Sequence, residues 1–227
     1  VIYKSVNRFD LTVAGDPISK EEYVNCMNSV EYDTKVQIQQ DYDAVYGTDF
    51  WEKQYDGQYG YEILTRNTVE QLKYIHAVYD LAEENGDVAD SSYEALEKRW
   101  KDGNAERGEK VKKGEVIYGL KEYTFQLYLD YELSTLKEKY CNDTSREGMK
   151  LTEDEVLQHY QSRDWIFGDS EENADSDEDN ASDNSTEAVE RELREQKYDD
   201  MITQRENGSQ VEGNMKDVNR YTLKNIQ

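Results

Sequence analysis

The chain of 227 residues carries 51 acidic side chains against 27 Lys and Arg, a formal net charge of −24. This charge excludes proteins that bind nucleic acid by neutralising its phosphates, and it disfavours binding to anionic membrane surfaces. An aromatic share of 11%, with 19 tyrosines, argues against disorder throughout, and the single proline favours long uninterrupted helices. The composition therefore predicts an acidic, mainly helical protein.

The chain begins with a predicted strand and a predicted long helix. Residues 1–14 are predicted to be extended, because apolar and polar side chains alternate there. Ser19 and Glu22 have the spacing of a capping box, and apolar residues then recur every three or four positions up to Gly47. A helix is therefore predicted from Ser19 to Gly47.

An aromatic cluster around the glycine-rich segment 47–60 has two interpretations. The rings either cover the helical core, or they form a peptide-binding surface, since Tyr and Trp give a large contact area at a low cost in entropy. The candidate peptide-binding residues are Phe50, Trp51, Tyr55, Tyr59, Tyr61, Trp100 and Tyr118.

Helical periodicity continues through most of the remaining chain. Helices are predicted at 61–85, 119–141 and 186–206. Another predicted helix is capped by Ser91 and Glu94 and becomes doubtful beyond residue 101, and a short helix is predicted after the Thr152–Glu155 capping box. The 119–141 helix has two apolar stripes, which is typical of a central helix in a bundle: Leu120, Tyr123, Leu127 and Tyr131 form one, and Phe125, Leu129, Leu133, Leu136 and Tyr140 form the other. The tail from Val211 to Ile226 is predicted to be extended and to pair with the first strand.

Residues 168–188 contain nine acidic residues and no Lys or Arg, which is typical of a disordered linker. Asp175, Asp177 and Asp179 match the start of an EF-hand loop, but Asn180 replaces its turn glycine and Thr186 its final glutamate. A solvated run of charge is the preferred interpretation, and no metal site is predicted.

The residue types that usually carry catalysis are scarce. Cys26, Cys141, His76 and His159 have no metal-ligand spacing, and no nucleophile or phosphate-loop motif accompanies them. Both histidines are interpreted as ordinary helix residues, and no catalytic residue and no cofactor are predicted. The cysteines are interpreted as two buried thiols, with a disulfide as the alternative.

Several segments, taken in order, resemble SurA- and PrsA-type extracytoplasmic foldases. The matching segments are VAGDPISKEEY at 13–23, DFW at 49–51, LAEENG at 81–86, SYEAL at 92–96, VIYGL at 116–120, KLTEDEVLQHYQSRDWIF at 150–167 and KYDDMI at 197–202. The resemblance implies an all-α, SurA N-terminal or trigger-factor-like chaperone domain, with a minor strand pair from the two termini. Its first part would span 1–167, the acidic linker 168–185 would replace the parvulin domain, and 186–227 would complete the module.

The same resemblance implies a function. We expect an extracytoplasmic chaperone-like protein that binds unfolded or extended segments of exported proteins without catalysis, with basic clients favoured by the charge. The alternatives are a degenerate prolyl isomerase and a surface adaptor that binds one folded partner. The chain begins at Val1 rather than Met, so an upstream segment is expected to have been removed, and a cell-surface, secreted or lipid-anchored location is expected. No membrane span is predicted.

Overall fold

The computed structural model describes residues 8–163 and 178–226, with side chains for 8–163 and 186–226. The helices are α1 (Lys20–Tyr42), α2 (Gly60–Glu84), α3 (Tyr93–Lys112), α4 (Phe125–Asn142), α5 (Glu153–Gln161), α6 (Glu178–Gly208) and α7 (Met215–Asn225), and Phe50–Glu52 forms a 3₁₀ turn. The strands are β1 (Leu11–Val13), β2 (Asp16–Pro17), β3 (Gln54–Tyr55), β4 (Gln58–Tyr59) and β5 (Val211–Gly213). Two small antiparallel sheets, β2-β1-β5 and β3-β4, accompany the helices, and the predicted all-α class with a minor terminal strand pair is confirmed.

The chain divides into two compact units, each described here by itself. The first comprises Val1–Tyr131 and Arg205–Gln227, and the second comprises Glu132–Gln204. The division predicted from the sequence, 1–167, 168–185 and 186–227, stays a prediction, and its residues 164–177 lie outside the described ranges. Residues 178–185, however, are helical and begin α6, where acidic residues near a helix N-terminus are favoured by the helix dipole.

The predicted pairing of the two chain ends occurs between β1 and β5. Thr12 lies opposite Glu212 in an antiparallel register, and the side chains of Leu11 and Val13 are buried. Gly213 has φ 141°, and a Cβ atom there would lie 2.3 Å from the carbonyl oxygen of Asp10. Only glycine therefore allows the two strands to approach this closely.

The prediction of an extended tail beyond Gly213 is wrong. The Asn214 side chain accepts a hydrogen bond from the backbone N–H of Lys216 and caps α7. Val218 and Thr222, one helical turn apart, are both fully buried. The apolar residues of the tail therefore follow the helical period rather than the alternation of a strand.

The predicted capping box begins α1. Ser19 Oγ accepts a hydrogen bond from the Glu22 backbone N–H at 3.1 Å, and Glu22 Oε2 accepts one from the Ser19 N–H at 3.4 Å. The helix ends at Tyr42, five residues before the predicted end, because Asp43 adopts a left-handed conformation with φ 48°. Asp is one of the few residue types besides glycine that tolerate this conformation.

The core of the first unit lies where α1, α2 and α7 pack together. Its largest fully buried residues include Tyr23, Met27 and Ile38 from α1 and Ile63, Leu64 and Leu72 from α2. A buried chain of hydroxyl groups joins the three helices, with Thr222 Oγ1 lying 2.5 Å from Tyr23 Oη and 2.8 Å from Thr65 Oγ1. These polar groups are paired inside the core and so avoid the cost of unpaired burial.

The third helix is longer than predicted. Its cap is Ser92 rather than Ser91, and Ser92 Oγ accepts a hydrogen bond from the Ala95 N–H. The helix continues to Lys112 through the doubtful stretch, where Lys110 pairs with Glu106 and Lys112 with Glu109. These pairs, three and four residues apart, offset part of the cost of the glycines at 103 and 108.

Only one of the two predicted stripes of α4 is buried. The helix begins at Phe125, six residues later than predicted, and residues 115–124 are not helical. Leu129, Leu133, Leu136 and Tyr140 are buried, whereas Leu120, Leu127 and Tyr131 are exposed. The interpretation of this segment as a central helix, apolar on two faces, is therefore wrong.

The second unit is built from α5, most of α6 and the C-terminal part of α4. The Tyr140 and Tyr198 rings lie 5.4 Å apart, and Met149 is fully buried. The predicted capping box of α5 is present, with Thr152 and Glu155 bonded to each other's backbone N–H. Lys197 of α6 also pairs with Glu155 and so ties the start of α5 to α6.

Both cysteines are free and buried, so the interpretation as buried thiols is confirmed. Burial raises the pKa of the Cys141 thiol to about 11. Burial, and then the Glu22 charge, raise the pKa of Cys26 as well. Both thiols therefore stay protonated at neutral pH, when a thiol is a poor nucleophile.

Candidate functional site

Three of the seven candidate peptide-binding residues belong to the core. Phe50, Trp51 and Tyr55 are buried and in mutual contact, with ring centroids 5.1 Å apart for Phe50–Trp51 and 5.6 Å for Phe50–Tyr55. The Tyr55 hydroxyl donates a hydrogen bond to the Phe50 carbonyl oxygen at 2.9 Å. These rings cover the helical core, which is the first of the two interpretations of the aromatic cluster.

The local backbone explains this burial. Asp56 and Gly57 have φ values of 51° and 83°, which form a tight turn between β3 and β4. The hairpin leads directly into α2, where a Cβ atom on Gly60 would lie 3.0 Å from the Phe50 carbonyl oxygen. The Asp-Gly pair is the sequence signal for this hairpin, and it shows that the aromatic segment is folded rather than an open loop.

The other four candidates lie in two separate groups. Tyr59 and Tyr61 stack on each other, with centroids 5.3 Å apart, and both are half-buried. Trp100 is half-buried in α3, and Tyr118, 89% exposed, lies in the segment between α3 and α4. Peptide binding by these four residues stays a prediction.

A set of exposed apolar side chains lies on the α3–α4 segment and on the first turns of α4. We call it the apolar loop surface, formed by Val116, Tyr118 and Leu120 of the α3–α4 segment together with Leu127 and Tyr131 of α4. Val116 is 80% exposed and Leu120 is 51% exposed, although such side chains are usually buried. A cluster of exposed apolar side chains commonly marks a protein interaction site.

Arg107 of α3 holds the backbone of this segment. Its guanidinium donates hydrogen bonds to the carbonyl oxygens of Tyr118, at 2.6 Å, and Leu120, at 2.9 Å from Nε. The same group lies over the Tyr123 ring, 4.9 Å from its centroid. One side chain therefore fixes three positions of the segment by hydrogen bonds and a cation–π contact.

Two further side chains of α3 hold the end of the segment. The Asn104 amide donates to the Tyr123 carbonyl oxygen at 2.8 Å and accepts from the Tyr123 N–H at 2.9 Å. Trp100 Nε1 donates to the same carbonyl oxygen, also at 2.8 Å. The Tyr123 ring in turn stacks on Tyr131 of α4, 6.0 Å away. The segment is therefore an ordered turn whose apolar side chains face solvent.

The charge of this region differs from that of the rest of the chain. Residues 93–124 contain eight Lys or Arg and seven Asp or Glu, a net charge of +1 in a chain of −24. Four of those acids pair with lysines inside α3, as Lys98–Asp102, Lys101–Glu97, Lys110–Glu106 and Lys112–Glu109. Lys113 and Lys121 are exposed and make no ion pair with any residue in the described ranges. The apolar loop surface is thus bordered by charges of both signs, because Glu115 and Glu122 are exposed in the same segment.

The sequence patterns do not predict that most of these side chains are exposed. Leu120, Leu127 and Tyr131 have helical spacing, which predicts a core stripe. The run VIYGL at 116–120, between Gly114 and a second turn at Gly119, was the available signal of a non-helical apolar turn. Nothing local in the sequence indicates that Arg107 bonds to this backbone.

A second cluster surrounds His76, which was interpreted as an ordinary helix residue. Its Nε2 lies 2.9 Å from Glu22 Oε1, and its Nδ1 lies 3.6 Å from Asp16 Oδ2. Burial lowers the pKa of His76, but the Glu22 hydrogen bond and the charges of Glu22, Asp16 and Asp80 outweigh it and leave the pKa raised. The cluster joins α2 to the start of α1, which is a structural role.

The described residues contain neither a candidate metal site nor a candidate membrane-spanning helix. In residues 8–163 and 178–226, no group of three His, Cys, Asp or Glu side chains is arranged to hold a metal ion. Within the same residues, no helix is long and apolar enough to cross a bilayer.

Comparison with known proteins gives the class of the chain. No family profile and no solved structure match it. A curated protein of Bifidobacterium longum subsp. longum, named "Chaperone for lacto-N-biosidase", is 30% identical to it over 198 residues, which is 87% of this chain and 69% of that protein. The class is therefore that of protein-folding chaperones. The chain belongs to the family of this chaperone for lacto-N-biosidase.

This relationship corrects the resemblance to SurA- and PrsA-type foldases, which is wrong. The relative is named as the chaperone of one enzyme, and no foldase family matches. The segments that carried the resemblance include the capping boxes at Ser19 and Thr152, and such helix starts recur in unrelated helical proteins.

Proposed function

We propose that this chain is a dedicated chaperone that assists the folding of one partner enzyme of the lacto-N-biosidase kind. The observation that carries the proposal is the 30% identity to the chaperone for lacto-N-biosidase, which extends over most of both chains. A client protein is thus part of the function, and the proposal narrows the client to a single enzyme.

The dedicated role is preferred to the general chaperone predicted from the sequence. A general chaperone needs a broad surface for many clients, and three of the seven candidate residues for such a surface are buried in the core. What remains near Tyr118 is a small, ordered apolar surface, which suits a defined partner better than many unrelated segments.

The relationship also bears on catalysis, but not on cellular location. A relative named as a chaperone supports a role without catalysis and gives no support to residual prolyl isomerase activity. The location outside the cytoplasmic membrane was implied by the foldase resemblance alone, and it stays a prediction.

Co-expression tests the proposal. Lacto-N-biosidase is produced with this chain, with the Bifidobacterium relative as positive control, or alone, and the activity of the soluble enzyme is measured. We expect the chain to raise this activity several-fold and to leave an unrelated glycosidase, produced in parallel, unchanged. Equal activity with and without the chain, under conditions where the relative is effective, would contradict the proposal.

A further inference from the structure

We propose that the apolar loop surface is where the partner enzyme docks, and that it receives an apolar segment of the enzyme flanked by acidic side chains. This inference rests on the proposed function, since it names the surface and the chemistry of the contact. Three features of the surface support it: the exposure of its side chains, the order of its backbone and its charge.

The first step is the exposure of the apolar side chains. Val116 and Tyr118 are 80% and 89% exposed, and Leu127 and Tyr131 of α4 add a second row. None of them contributes to the core of the first unit, so the stability of the chain alone does not account for them. Burial against a partner would remove this apolar area from water, at about 25 cal/mol for each Å².

The second step is the order of the backbone. Arg107, Asn104 and Trp100 each hydrogen-bond to main-chain atoms of residues 118–123, so the segment keeps one conformation while its side chains face solvent. A partner that binds such a preorganised surface does not have to order it first, which raises affinity.

The third step is the charge around the surface. Most of the chain is strongly acidic and repels acidic proteins, whereas residues 93–124 carry a net charge of +1. Lys113 and Lys121 border the apolar side chains together with the exposed Glu115 and Glu122, so this border is close to neutral, and the Arg107 guanidinium, which bonds to carbonyl oxygens rather than to a carboxylate, adds a positive charge. This surface therefore accepts an apolar segment with acidic neighbours without the repulsion that the rest of the acidic chain exerts.

The apolar contact is tested with a matched pair of double variants. Tyr118→Ser with Leu120→Ser removes two side chains of the surface, and Tyr32→Ser with Val45→Ser removes a similar pair, 68% and 81% exposed, elsewhere in the first unit. Binding of urea-unfolded lacto-N-biosidase, diluted into buffer, is measured by its capture on the immobilised chain. We expect the loop variant to bind at least about tenfold more weakly than the wild type, with the control unchanged and both melting temperatures near that of the wild type.

The charge contact is tested with a second matched pair. Lys113→Glu with Lys121→Glu reverses the border of the surface, and Lys150→Glu with Lys216→Glu makes the same change in net charge at other exposed positions. We expect only the loop reversal to weaken capture, and the difference to disappear in about 1 M salt, where screening acts within about 3 Å. Stronger capture after the loop reversal would overturn the acidic character of the client segment.

The outcomes separate this inference from the function on which it rests. If the wild-type chain captures no unfolded enzyme while the Bifidobacterium relative does, the proposed function fails and this inference with it. If the wild type captures the enzyme and the loop variants capture it equally well, the chaperone function stands and the docking surface is overturned.

Discussion

His76 makes stabilising contacts that its position in the sequence does not predict. Its imidazole connects Glu22, which also closes the capping box of α1, to α2, and Asp16 lies on its other side. Because Glu22 has both tasks, loss of the imidazole affects the start of α1 as well as the contact between the two helices.

The His76 cluster predicts a pH-dependent stability. The pKa of His76 is raised above its ordinary value of 6.5, so its stabilising effect is complete below about pH 6.5 and is lost as the pH rises through the folded-state pKa. We expect His76→Gln to lower the free energy of unfolding by about 1.5 kcal/mol at pH 5.5, the scale of a charged hydrogen bond, and by less at pH 9.

Urea titrations of the wild type and His76→Gln at several pH values provide the measurement. The difference between the two proteins removes the contributions of groups that do not interact with His76. The pKa of Asp80 is raised by burial and drawn down by the His76 charge, so the difference reports on these two groups together. A difference that stays constant from pH 5.5 to 9 would show that the pKa of His76 is the same in the folded and the unfolded protein, which would contradict this prediction.

At the scale of elements, the aromatic hairpin and the apolar loop surface have opposite roles. The hairpin of β3 and β4 places Trp51 in the core, whereas the α3–α4 segment places Tyr118 in solvent. Both segments are rich in aromatic and glycine residues, so composition alone does not distinguish them. The two segments are distinguished by the burial of their side chains in the folded chain.

Substitution of Trp51 tests the role of the hairpin. Trp51→Ala is expected to lower the free energy of unfolding by about 3–5 kcal/mol, the cost of a large cavity, while the exposed substitution Tyr32→Ala changes it by less than about 0.5 kcal/mol. Trp51→Phe should cost much less, because the buried indole N–H has no hydrogen-bond partner among the described residues. Thermal and urea unfolding measure all three, and a small effect of Trp51→Ala would place this ring at the surface.

Arg107 provides the matching test for the α3–α4 segment. Arg107→Ala removes the hydrogen bonds to Tyr118 and Leu120, so amide hydrogen exchange in residues 114–124 should accelerate while global stability changes little. Arg107→Lys should not restore protection, because an ammonium group lacks the planar fork of the guanidinium.

The control for Arg107 is Lys110→Ala, which removes a nearby cation that pairs with Glu106 on the same helix. Exchange in residues 114–124 should be unchanged in this variant. Equal exchange rates in the wild type and Arg107→Ala would mean that the segment keeps its conformation without the guanidinium.

Local interactions explain which elements could be predicted from the sequence. The capping boxes at Ser19 and Thr152 depend on residues three positions apart, so their sequence spacing is sufficient, and both are confirmed. The tail was missed because its helix depends on the Asn214 cap and on the burial of Val218, which was assigned to a strand. The apolar loop surface was missed because the contacts of Arg107 are set by tertiary structure.

At the scale of the whole molecule, charge and family membership together describe the function. The net charge of −24 keeps the chain apart from nucleic acid and from other acidic proteins, while residues 93–124 are close to neutral. The proposed function would give this uneven distribution a use, because a dedicated chaperone needs one surface that accepts its client. Composition predicts the mainly helical fold class, whereas the proposal of a single client is supported by the sequence relationship.

The central claim, that the chain assists one enzyme rather than many, is tested most directly by refolding. Lacto-N-biosidase and an unrelated glycosidase of similar size are unfolded in urea and diluted separately into buffer with an equimolar amount of the chain. The recovered activity of each enzyme is then compared with refolding in its absence. The account predicts a several-fold gain for lacto-N-biosidase and none for the other enzyme. An equal gain for both enzymes would identify a general chaperone, and no gain for lacto-N-biosidase would contradict the proposed function.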